Sequence, residues 1–162
     1  MRCTMYFEIR KATEKDVEVL TAMRLEMRRE RETASLTIPE KEFERITREY
    51  FKKALASEDF VSYIAWAGEE AAACSGMSIH LHAPSYGNLS GKTGYIFNMY
   101  TRSAYRRQGL AVKLLEALQE YAEAEGCTKL GLNASPAGRN VYLKYGFTEA
   151  GGEMEMKLKG NV

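Results

Sequence analysis

One stretch limits the folds open to this chain more than any other. It runs from YIFNMYT at 95–101, through Arg106-Arg107-Gln108-Gly109, into LAVKLLEALQEYAEAE at 110–125. The first part, rich in aromatic residues, reads as a strand. After the glycine, Leu114, Leu115, Leu118, Tyr121 and Ala122 recur at helical spacing and form one apolar face, with Gly126 as terminator. A strand passing through a short basic loop into such a helix must lay that face on a sheet. The same turn makes a site. First-turn N–H groups of a helix have no intrahelical partner, and the helix dipole adds to their attraction for an anion. Gly109 permits close backbone approach, Ala111 adds little bulk, and Arg106 and Arg107 bring positive charge. The residues alone read as a phosphate or pyrophosphate cradle, or as an ordinary turn with solvated arginines. Neither G-x-x-x-x-G-K-[ST] nor G-x-G-x-x-G occurs.

The pattern around this stretch is α+β. Residues 5–10 alternate as a strand, and Thr13-Glu14-Lys15-Asp16 forms a capping box for a helix to about Arg31. Val17, Leu20, Ala22, Met23 and Met27 fall on its inner side. Thr37-Ile38-Pro39-Glu40 opens a second helix, with Phe43, Ile46, Tyr50 and Ala54 at helical spacing. Strands over 60–67 and 71–81 make a hairpin across Gly68-Glu69-Glu70, and a Pro/Ser/Gly/Asn loop covers 83–92. Residues 127–133 read as a strand, Ser135-Pro136 starts a helix to Tyr145, and 147–159 supply a last strand. The expected order is β-α-α-β-β-β-α-β-α-β, a mixed, mostly antiparallel sheet flanked by helices.

Length and charge narrow the function. At 162 residues one domain, 1–162, is expected. With 23 basic and 22 acidic residues, a net of +1, nothing calls for nucleic acid or an anionic membrane as partner. No run is long and apolar enough to span a bilayer and the N-terminus lacks a signal-peptide pattern, so a cytoplasmic location is expected. Cys3, Cys74 and Cys127 suit neither a disulfide framework nor a zinc set, and no metal is expected. His80 and His82 share a strand face without a third ligand in view, and Trp66 and Cys127 read as core. The charges between Arg24 and Lys53 read as two solvated helix faces, with a polyanion patch as the other reading.

Arg106-Arg107-Gln108-Gly109-Leu110-Ala111 matches [Q/R]-x-x-G-x-[G/A], the coenzyme A pyrophosphate loop of the GNAT N-acetyltransferase superfamily. Val141-Tyr142-Leu143-Lys144-Tyr145-Gly146-Phe147 resembles its second signature, and Ile9, Arg10, Ala12, Thr13 and Asp16 its usual opening. Ser103 stands where a proline is common, and Ala111 where a glycine is common. The resemblance covers essentially the whole chain.

It implies transfer of an acetyl group from acetyl-CoA to a primary amine, by direct attack in a ternary complex. By position, Met99 and Thr101 would offer backbone groups to the pantetheine arm, and the amides of Arg107, Gln108, Gly109, Leu110 and Ala111 would hold the pyrophosphate. Arg106 adds charge, while Asn133 lines the other wall, where Arg139 either reaches the cofactor or stays solvated. Two central strands would splay after Thr101. The Met99 N–H is the candidate donor to the thioester oxygen. Tyr142 occupies the position of the general acid; a plain core aromatic is the other reading. No carboxylate stands on the 95–101 strand, so Asn98 and Tyr100 on one face, and Glu26 and Glu30 at the end of the first helix, are the acceptor-side candidates. The first two helices, the 83–92 loop and the last strands would build the acceptor pocket. A small-molecule amine or a protein amine both fit, and homodimers are common among relatives. A non-catalytic acyl-CoA-binding sensor and a protein-interaction module are the alternatives.

Overall fold

A computed structural model describes residues 5–31 and 38–159. Cys3 and Thr37 lie outside them. Strand β1 (Glu8–Lys11) leads to the capping box: Asp16 accepts the Thr13 N–H at 2.8 Å, and Thr13 Oγ1 accepts the Lys15 N–H at 3.3 Å. A short 3-10 turn then becomes α1 (Val17–Arg31), whose Val17, Leu20, Met23 and Met27 are buried while Ala22 is half-buried. Helix α2 (Glu40–Leu55) begins directly after Pro39. Its phase differs from the expectation: Thr47 and Phe51 are buried, whereas Ile46 and Tyr50 are 46% and 43% exposed. The broad apolar arc of the helix admits several orientations, and packing against α1 selects one.

Strands β2 (Phe60–Val61) and β3 (Tyr63–Ala67) divide the expected single strand at Ser62, whose Oγ donates to the Ser75 carbonyl at 2.6 Å. β4 (Glu70–Leu81) and β5 (Lys92–Thr101) form the long central hairpin. Helix α3 (Leu110–Ala124) crosses to β6 (Leu130–Leu132), and α4 (Arg139–Tyr145) follows. The sheet order is β1-β3-β4-β5-β6, with β2 also on β4; only β5 and β6 run parallel. α1 and α2 cover one face with Leu20, Met23, Met27 and Phe51, and α3 covers the other with Leu115, Leu118 and Ala122. β4 is buried on both faces from Ala71 to Met77, which is why AAACSGM shows no alternation.

Two further expectations need correction. Residues 147–159 form no strand, so the order ends on α4, not on a strand. Met154, Met156 and Leu158 alternate as a strand would, yet they are 97%, 80% and 77% exposed. Alternation alone makes no strand, because extended backbone needs a ladder partner. Helix α4 also starts at Arg139, later than Ser135-Pro136 suggests. Ser135 Oγ instead accepts the Gly138 N–H at 3.2 Å in the turn before it.

Candidate functional site

The site grows from an irregularity in β5. Opposite β4, Cys74 pairs with Tyr100 and Gly76 with Phe97, so Asn98 and Met99 together face only Ser75. This is a bulge, and Asn98 adopts a left-handed φ of 56°, which asparagine tolerates better than most residues. Its side chain is buried and held: Oδ1 accepts from Arg24 Nη1 at 3.4 Å, and Nδ2 lies 3.8 Å from Cys74 Sγ. Burial pushes the Cys74 thiol up to about 12, so it stays a protonated packing group. The bulge turns Met99 out of the ladder, and its carbonyl accepts from Arg31 Nη2 at 3.1 Å.

β5 is also open on its other side. Its parallel pairing with β6 ends at Ile96 and Leu132, so the strands part there rather than after Thr101. Residues 97–101 thus form an edge without a β6 partner. Beyond them a 3-10 turn (Ser103–Tyr105) leads to the basic loop. Arg107 and Gly109 are both left-handed, with φ of 59° and 77°. Such turns aim successive N–H groups toward one point. Gly109 caps α3 without a side-chain hydrogen bond, and the first turn carries no acidic residue. A Cβ built on Gly109 would meet nothing within 4 Å. A cradle of backbone donors with open space above it suits a pyrophosphate.

Arg106 does not add its charge to that cradle. Its Nε donates to the Thr101 carbonyl at 2.9 Å, and Nη2 donates to Glu30. Tyr100 donates to the other Glu30 oxygen at 2.6 Å. The bonds from Tyr100 and then Arg106 hold the Glu30 carboxyl below the usual carboxylate range. Burial, reinforced by Glu30, pushes the Tyr100 phenol up. Glu26 is engaged bidentately by Arg102 at 2.9 and 2.8 Å. Both glutamates therefore hold the loop after β5 against α1. As placed, neither is a free base.

Tyr142 and Met99 pack against one cluster, with Leu115, Leu118 and Ile96, on the α3 face. Burial raises the Tyr142 phenol, and the nearby Arg31 charge opposes the rise. Asn98, Tyr100, Glu26 and Glu30 instead meet α1 or the Arg102–Arg106 segment. Asn133 is exposed just past β6, and Arg139 pairs with Glu149. The 83–92 loop stands apart. It lies at the start of β5, roughly 23 Å of strand rise from Met99, and Ser90 Oγ donates to the Gly126 carbonyl at 2.7 Å. His80 stacks on Tyr95 at 6.2 Å at this same end. Arg24 and Arg31 were hidden in the charge pattern; their only signal was helical spacing along α1.

Comparison with known proteins agrees with this fold. Residues 22–147 match the profile of the Acetyltransferase (GNAT) family. The structure superposes with a TM-score of 0.83 on a predicted acetyltransferase from Clostridium acetobutylicum solved with acetyl-CoA, 30% identical, over 94% of this chain and 96% of that one. Over 64 residues the chain is 36% identical to a probable glucosamine 6-phosphate N-acetyltransferase 2 of Oryza sativa subsp. japonica; this is 40% of this chain but only 39% of the relative's length. It shares the fold of glucosamine-6-phosphate N-acetyltransferase from Arabidopsis thaliana, with a TM-score of 0.69 at 22% identity over 95% and 99% of the two chains. Among the described residues, no helix is long and apolar enough to cross a membrane. With its bulged strand, left-handed basic loop and following helix inside the matched span, this chain belongs to the acetyltransferase (GNAT) family.

Proposed function

We propose that this chain is an N-acetyltransferase that moves an acetyl group from acetyl-CoA to a primary amine by direct attack in a ternary complex. The carrying observation is the open edge of β5. It presents the bulge at Asn98–Met99 and continues into the uncapped N-terminus of α3. Acetyl-CoA supplies the activated thioester. The amides from Arg107 to Ala111 would hold its pyrophosphate, with Gly109 leaving room. Backbone groups of Met99 and Thr101 would receive the pantetheine arm, and the Met99 N–H would face the thioester oxygen. Asn133 would line the far wall.

Tyr142 keeps a phenolic proton near the departing sulfur. A phenol of pKa ~10 protonates a thiolate whose thiol has pKa ~8.5 only uphill, and burial steepens the step. Its main work is a hydrogen bond to the sulfur as charge develops there. Glu26 and Glu30 position Arg102 and Arg106 rather than removing the amine's proton. The amine then reacts through its neutral fraction. That favours acceptors with a pKa near ~8, as in α-amino groups, over lysine-like amines near ~10.4. The curated relatives are named for glucosamine 6-phosphate, so amino sugar phosphates join amino acids and peptide amines as acceptor candidates.

Calorimetric titration with acetyl-CoA, paired with Gly109→Trp, tests the reading, followed by free-thiol release across an amine panel. Micromolar binding lost in the folded variant, with turnover of an amine, is the expected result. A folded wild type that binds no acetyl-CoA overturns it and favours an interaction module. Binding without turnover of any amine points to a sensor.

A further inference from the structure

Helix α1 sorts its charges by flank. Glu26 and Glu30 lie one turn apart on one side, engaged by Arg102 and Arg106. Arg24, Arg28 and Arg31 follow at i, i+4 and i+7 on another side. Both ends of this row meet the bulge. Arg24 Nη1 donates to Asn98 Oδ1 at 3.4 Å, and Arg31 Nη2 donates to the adjacent Met99 carbonyl at 3.1 Å. Cations near a helix C-terminus also answer the helix dipole. The dipole explains proximity to the end and not a shared flank; Arg29, off the row, pairs with Glu40 of α2. Beside Arg24, Tyr50 is half-exposed and in edge contact with Phe97, which leaves an aromatic surface next to that guanidinium.

From this placement we infer that the arginine row binds an anionic group, phosphate or carboxylate, carried by the amine acceptor itself. The inference rests on the acetyl-transfer reading. Guanidinium groups favour planar, bidentate contact with such anions. Arg24 to Arg31 spans ~10 Å of helix rise. The row also repels polyamines. The cofactor's own phosphates are assigned elsewhere, past Thr101 at the N-terminus of α3. The bulge and the loop beyond Thr101, both at the C-terminal end of β5, thus receive two anions.

The test uses the full chain and inorganic phosphate as probe. Nitrogen-15 NMR titration of CoA-saturated protein should show saturable shifts at Asn98, Met99 and the Arg24–Arg31 row. The double variant Arg24→Gln/Arg28→Gln should weaken phosphate binding at least tenfold and leave the CoA Kd within twofold. Phosphate shifts that vanish once CoA occupies the loop, or that persist in the double variant, overturn the inference. In turnover, glucosamine 6-phosphate should exceed glucosamine, or an amino acid its amide, by at least tenfold in kcat/KM, with the ratio collapsing in the double variant. Preference for neutral or polycationic amines overturns it. If CoA does not bind, the acetyl-transfer reading falls, and phosphate titration of the free protein still decides the row.

Discussion

Tyr142→Phe removes one hydroxyl and little else. The ring keeps its T-shaped contact with Phe147, at 5.9 Å and 76° between planes, and its place in the α3-face cluster. Among the described residues, burial and the Arg31 charge are what act on its phenol, and no hydrogen bond is lost with it. The stability change should stay below ~0.5 kcal/mol, less than ~2 °C in Tm for a domain of this size. If the hydroxyl serves the departing sulfur, turnover should fall ~10²-fold or more, the range of a positioned proton donor. That corresponds to ~2.7 kcal/mol of barrier, several times the structural cost. The acetyl-CoA Kd should not move, because the pyrophosphate cradle lies on another element. Free-thiol release at saturating acetyl-CoA reads kcat, and calorimetry reads binding. The phenol is raised, so the wild type should keep its proton through pH ~10 and show no alkaline loss from Tyr142 below that. A folded variant with normal CoA binding and kcat within about threefold of wild type would refute the reasoning. Tyr142 would then be a packing aromatic.

Gly109→Ala should fold, since a Cβ there meets nothing within 4 Å, but the left-handed φ of 77° should cost ~1–2 kcal/mol, seen as a lower Tm. Its methyl enters the space assigned to the pyrophosphate, so calorimetry should show acetyl-CoA affinity down at least tenfold. Glu30 is held below the ordinary carboxylate range by Tyr100 and Arg106, so its stabilisation is present above pH ~4.3 and lost as pH falls through its folded value. Wild type and Glu30→Gln should therefore differ in Tm at pH 7 and converge in acid; a gap that widens on acidification would contradict this. Leu118 is fully buried between α3 and the sheet, and Leu118→Ala should cost ~2–5 kcal/mol by denaturant unfolding.

What was legible in the amino-acid order was local. The Thr13–Asp16 capping box and the turn from β5 through Gly109 into α3 each use residues close in sequence, so backbone and side chain specify them without help from the rest of the chain. The family motifs lie in such segments, which is why the basic loop before α3 and Tyr142 stood out. The phase of α2 was not local, because packing against α1 chose Phe51 over Tyr50 as its buried face. The strand-like alternation at 154–158 named no partner and acquired none. The Asn98–Met99 bulge appears only when β5 is laid beside β4, since a bulge is a mismatch between two strands. Glu30 and Arg106 stand 76 positions apart, and Arg31 and Met99 stand 68 apart. Sequence by itself determined most element types up to α4 and the left-handed turn into α3, because these depend on near neighbours. Only the tertiary structure decided that the glutamates of α1 are spent on arginines and that Arg24 and Arg31 meet the bulge, because a charge acquires its role from whatever the fold brings within a few ångströms.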